Sequence, residues 1–84
     1  MHELSVIAEI VNIVEKFSEE HRLEGRIETL VLQIGERSSV LPAYIEAIYP
    51  VAVNNTILAN TRLEIETLPG KEFFIREIVM EEPD

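Results

Sequence analysis

The chain contains no cysteine and no tryptophan. The first absence removes disulfides, thiolate zinc sites and cysteine nucleophiles together. Basic residues are scarce, with Lys+Arg 7 against Asp+Glu 16 and a formal net charge of −9. Nucleic-acid binding needs a cationic footprint, so it is excluded as the main business of the chain. No apolar run approaches the roughly 20 residues of a membrane span, so no membrane partner is expected. The N-terminus has neither a basic n-region nor a cleavage site, which predicts a cytoplasmic protein. The sequon Asn54-Asn55-Thr56 then carries no glycan. Repeats, linkers and low-complexity stretches are also lacking, and 84 residues leave no room for a second core. The chain reads as a single domain, 1–84. Its hydrophobic fraction of 46% is enough for a folded globule. A domain of this size buries only ~60–65% of its unfolded surface. The acidic surface suits solubility, cationic partners or metal cations.

Hydrophobic spacing sets the elements. Leu4, Ile7, Ala8, Val11, Val14 and Phe17 recur at three- and four-residue intervals, with Ile10 and Ile13 widening the stripe. This predicts a helix over about 3–23, with Glu3 at its positive end, His21 and Arg22 in its last turn and Gly25 ending it. A strand follows from Arg26 to Ile34. Leu30, Leu32 and Ile34 face one way, and Ile27, Thr29, Val31 and Gln33 the other. The second, half-polar face is open either to solvent or to a second copy, a homodimer.

Pro42 is placed to open a second helix. Leu41, Tyr44, Ile45, Ile48 and Ala52 form its apolar stripe, and Pro50 within it predicts a kink or early fraying. Thr56 to Thr61 connects, carrying Ile57 and Leu58 back onto the core. Leu63 and Ile65 alternate with Arg62, Glu64 and Glu66 as a half-buried strand. Leu68-Pro69-Gly70-Lys71 has the pattern of a type II turn, which predicts a hairpin with the last strand. In that strand Ile78 and Met80 change parity relative to Phe73 and Ile75, so a bulge is expected near Arg76 or Glu77. The fold class is α+β: helix-strand-helix-strand-strand, with two helices on one face of a three-stranded mixed sheet. The strand order does not follow from the pattern.

The chemistry is concentrated at the start, Met1-His2-Glu3-Leu4-Ser5. The α-amine of Met1, the backbone nitrogen of His2 and the imidazole of His2 close a five- and a six-membered chelate ring on one cation. Such a planar nitrogen set suits Ni(II) and Cu(II) among divalent ions. It exists only with Met1 retained and its amine free. A histidine at position two is also an ordinary solvated residue near a terminus.

Other candidates have plainer readings. His21 suits a helix end. Glu64 and Glu66 share a strand face but have no partner base, and Ser38-Ser39 has no activating histidine or lysine. Tyr44, Tyr49, Phe73 and Phe74 read as core or interface aromatics. Glu36 and Arg37 read as an exposed ion pair or a partner contact. No glycine-rich phosphate loop is present, and no enzyme activity is expected.

Several stretches, in this order along nearly the whole chain, resemble the HypA family of nickel-incorporation proteins for hydrogenases and urease. They are Met-His-Glu-Leu-Ser at 1–5, Ile34-Gly35-Glu36 with a following serine, Pro42, Thr56-Ile57-Leu58-Ala59, Leu63-Glu64-Ile65-Glu66 and Gly70-Lys71-Glu72-Phe73 with Ile75 and Ile78. The resemblance implies the same two-helix, three-stranded fold. It implies Met1, His2 and Glu3 as the nickel ligands, Ni(II) as a transient cargo, and a nickel-enzyme precursor or an accessory GTPase as partner. Family members carry a zinc domain on two Cys-x-x-Cys pairs before the last strand. Here a tight turn at about 68–71 stands in its place, and no zinc is expected. Some members also place an acid shortly after the Gly-Glu motif, where this chain has Val40-Leu41. Two functions follow: a metallochaperone-like domain holding Ni(II) at its N-terminus for delivery to a nickel enzyme, or an interaction module that kept the fold without metal handling.

Overall fold

The computed structural model describes residues 3–82. The elements run α1 (Glu3–Glu20), β1 (Ile27–Gly35), α2 (Pro42–Ala52), β2 (Arg62–Leu68) and β3 (Phe73–Met80). The three strands form one mixed sheet in the order β2-β1-β3. β1 pairs parallel to β2 and antiparallel to β3. The expected α+β class and element order are present, and the connection through α2 makes β1 and β2 parallel. The hairpin is not present. β2 and β3 lie on opposite sides of β1, so the segment joining them crosses over the end of β1.

That crossover dictates Gly35. Successive backbone N–H groups of Gly35, Glu36 and Arg37 donate to the carbonyls of Glu72 (2.8 Å), Leu68 (2.7 Å) and Gly70 (2.8 Å). A Cβ on Gly35 would lie 2.5 Å from the Gly70 carbonyl oxygen and 2.8 Å from that of Glu72. Both obstacles are backbone, which cannot rotate away. Gly70 takes φ +120, as the Pro-Gly pattern requires. The turn carbonyls bond across to β1 and close no strand pair of their own.

Both strand irregularities fall where core parity needs them. Val31 pairs with Glu77 but Leu32 with Ile75, so Arg76 is the extra residue, as expected from the parity change. A second shift, at Glu28, lies between Ile27 and Thr29. It turns Ile27 onto the same side as Leu30, and Ile27 joins the core although simple alternation put it on the other face. The face carrying Thr29, Val31 and Gln33 is not bare. Thr29 and Val31 are 2% and 5% exposed, because Arg62, Glu64, Glu66 and Glu77 on the flanking strands stand beside them in register. Gln33 Nε2 donates to Glu66 Oε1 at 2.9 Å, and Arg76 pairs with Glu66 Oε2 at 3.1 Å.

Both helices cover the other face. α1 buries Ile7, Ile10, Val11 and Val14 together with Glu3. This stripe is rotated from the expected one: Leu4, Ala8, Ile13 and Phe17 are exposed. α1 also stops three residues early. Leu23 N–H donates to Ser18 O and Arg22 N–H to Glu19 O, a Schellman closure with Arg22 in the left-handed region at φ 50. His21 and Arg22 therefore lie beyond the helix, and Gly25 (φ 91) belongs to the following loop. α2 runs through Pro50 to Ala52 without early termination. After it, Leu58 is fully buried while Ile57 remains 39% exposed, so only one of that pair returns to the core. Tyr49 O–H donates to Thr61 O (3.0 Å) and Thr61 Oγ1 to Ile27 O (2.7 Å), tying α2 to the starts of β2 and β1. Burial pushes the Tyr49 phenol up to about 12. No helix among the described residues is long and apolar enough to cross a membrane.

Two substitutions test this account. Gly35→Ala should lower stability by about 1–3 kcal/mol, the usual cost of overpacking; urea unfolding indistinguishable from the parent would mean the crossover has room. Arg22→Gly should raise stability by about 1 kcal/mol, since it removes the left-handed penalty at the helix end. A thermal midpoint at or below the parent's would contradict that end geometry.

Candidate metal centre at the N-terminal end

Met1 and His2, which supply the expected amine, amide and imidazole, lie outside the described residues. The structure does place Glu3, the third expected ligand. The residue is 4% exposed at the first turn of α1, and its Oε2 accepts the Leu41 N–H at 3.2 Å. Glu3 has at least one other polar interaction as well. Leu41 is the N-cap of α2 and makes no side-chain capping bond of its own, and Pro42 follows it at the first helical position. A glutamate three residues into a helix often satisfies the N-cap N–H locally. Here Tyr44 holds that position, and Glu3 supplies the acceptor from another helix. A carboxylate beside the positive end of α2 is also favoured by the helix dipole.

Glu3 thus joins the first turns of both helices. From the end of β1 at Gly35, residues 36–41 lead to the start of α2. Ser38 Oγ accepts the Val40 N–H at 3.3 Å, and Val40 is buried in the core. Leu41 is 48% exposed and Leu4 is 63% exposed. The Val40-Leu41 stretch therefore brings apolar side chains to this end, where the resemblance suggested an acid.

The other candidates are dispersed. Among the described residues no three His, Asp or Glu side chains are grouped to hold a metal ion. His21 is exposed. Its ring stacks on Phe17 at a centroid distance of 4.0 Å, and its Nδ1 lies 3.0 Å from Phe17 O. Glu64 lies 3.8 Å from Arg62 and Glu66 contacts Gln33 and Arg76, so both are engaged on the sheet surface. Glu36 and Arg37 are exposed. Sequence reasoning missed the role of Glu3 as a bridge to α2. The only local signal was an α2 start that lacked a capping side chain of its own.

The sequence has counterparts in a known family, and the two-helix, three-stranded scaffold has one among solved structures. Residues 1–73 match the family model for HypA, hydrogenase/urease nickel incorporation, metallochaperone. The hydrogenase maturation factor HypA of Geobacter sulfurreducens is 37% identical over 71 residues, which cover 84% of this chain and 61% of that protein. The same factor from Trichodesmium erythraeum is 39% identical over 70 residues, covering 83% and 58%. This chain thus spans about three fifths of the length of those relatives. The solution structure of the Ni metallochaperone HypA from Helicobacter pylori matches with a TM-score of 0.81 at 16% identity, over 95% of this chain and 97% of that one. At that identity the likeness is one of fold. Fold, matched span and curated relatives agree, and the chain belongs to the HypA family.

Proposed function

We propose that this chain is a nickel-handling domain that holds Ni(II) at its N-terminus for transfer to a nickel-enzyme precursor, directly or through an accessory GTPase. It acts as a carrier rather than an enzyme, in the cytoplasm, and takes no zinc. Met1 supplies the amine and His2 the amide and imidazole. Glu3 is the nearby carboxylate. The observation that supports this reading most is the Glu3–Leu41 bond. It fixes residue 3 to both helices, so the two donor residues start from a defined point. With Oε2 engaged by Leu41, Glu3 serves the set by anchoring the terminus as well as by offering a carboxylate.

The donor chemistry fits a cargo that must be released. An amine of ordinary pKa about 7.7–8.0 and a backbone amide must both lose protons to bind. Affinity therefore falls as pH drops, and a partner or mild acid suffices to release the ion. The zinc domain of the family has no counterpart in the short 69–72 connection between β2 and β3, and we read this as a single metal-binding domain. The competing reading, an interaction module without metal handling, draws on the apolar Val40 and Leu41 at the site's edge.

Calorimetry with Ni(II) on the untagged chain separates the two. Binding should weaken by more than the 10–100-fold typical of losing an outer-shell partner when His2 becomes Ala, and again when the terminus is acetylated. It should also decline steadily from pH 8 to pH 6. Equal heats for the parent and His2→Ala would defeat the nickel reading.

A further inference from the structure

β2 closes the sheet on one side. Among the described residues it pairs with β1 alone, so every second residue turns its backbone N–H and C=O away from the ladder. Its run from Arg62 to Leu68 keeps one unbroken register and contains no proline. The other edge, β3, carries the bulge at Arg76, a device that disrupts pairing. Core cover also thins toward β2. Leu30 and Leu32 of β1 are 0% and 1% exposed, but their register partners Leu63 and Ile65 are only half-buried. Beside them Tyr49, Pro50 and Val53 of α2, with Ala59 and Leu63, line an open groove. The opposite side of β2 is charged. Arg62, Glu64 and Glu66 stand there in register with Thr29, Val31 and Gln33.

We propose that the β2 edge docks an extended peptide of a partner protein, apolar on one side and basic on the other. Unpaired strand N–H and C=O groups are matched in full only by another extended backbone. Alternate side chains of this guest enter the groove beside α2, and the others lie along the acids of β2. Charge selects the guest. Glu46 at the groove and Glu64 and Glu66 on the strand outnumber Arg62, the one cation of β2, and the whole chain carries −9. Glu66 is held by Gln33 and Arg76. Glu64, 3.8 Å from Arg62 with its side chain 51% exposed, is the acid that a guest lysine or arginine meets. A second copy fits badly. Two β2 strands paired antiparallel about their centre, Ile65, would set Glu64 against Glu66 twice, and like charges directly opposite are destabilising. The inference stands or falls independently of nickel binding.

The probe is the synthetic peptide acetyl-Val-Lys-Val-Lys-Val-Lys-amide, titrated into the whole isotope-labelled chain. Amide resonances of 62–68 should move, and those of β3 should not. Salt should weaken binding by screening the pairing. Glu64→Lys should weaken it about tenfold, through loss of a favourable cross-strand pair and gain of an unfavourable one. Glu77→Lys makes the same charge change beside Val31 on the same sheet face, but on β3. Three strand spacings, roughly 14 Å, then separate it from the guest, beyond the ~8 Å Debye length of physiological salt. Its affinity should stay within about twofold of the parent's. A fully N-methylated copy of the peptide keeps the side chains, loses the backbone donors and should not bind. Unmoved β2 amides at millimolar peptide overturn the proposal. So does equal binding of the N-methylated peptide, or equal weakening by the two variants. Movement of the β2 amides on concentrating the protein alone would make a second copy the occupant and overturn it too.

Discussion

At Gly35 two stretches of backbone pass with no space for a methyl group between them. β1 ends there, beneath the segment that carries the chain from β2 to β3. Three consecutive N–H groups of β1 and its exit find their acceptors in that segment. If the segment could not cross so closely, β2 and β3 could not flank β1. The central strand would then lose one of its two partners, and the buried run Leu30, Leu32 and Ile34 would lose part of its lateral support. A buried backbone donor without an acceptor is costly, so the crossing both closes the sheet and satisfies its end. The two helices lie on the face that this arrangement keeps apolar.

The same end of the molecule carries the candidate metal centre. Glu3 begins α1 and caps α2 in trans, so the carboxylate expected as a ligand is also a structural joint. Removing it would disturb the helix pair along with any ligand set. Leu4, Leu41 and Tyr44, at the first turns of the two helices, are exposed.

Elements governed by local periodicity were legible. The two helices, three strands and the bulge at Arg76 all follow from spacing and parity. Pro50 does not end α2 early, one of the two effects expected of it. Pro50 lies near the helix end, and two further residues complete the helix after it. The end of α1 was misplaced because a left-handed residue there is usually glycine, and Arg22 took the position ahead of Gly25. The expected hairpin failed because Pro-Gly dictates the local bend of the turn and says nothing about which strand stands between its arms. At the candidate site, the pattern Met1-His2-Glu3 named residue 3, and the structure adds what its carboxylate holds. The bond from Glu3 to Leu41 spans 38 positions and had no local signature.

The sequence by itself determined the α+β class, the order of elements, the absence of thiolate chemistry and the donor types at the N-terminus. These depend on residue identity and on periods of two and 3.6, which neighbouring residues set among themselves. Only the tertiary structure decided that β1 is central, that Gly35 is the crossing point and that Glu3 belongs to both helices. It also decided which side of α2 is left uncovered. Each of these is a contact between distant segments, settled by packing the whole core at once, and no window of local sequence contains it.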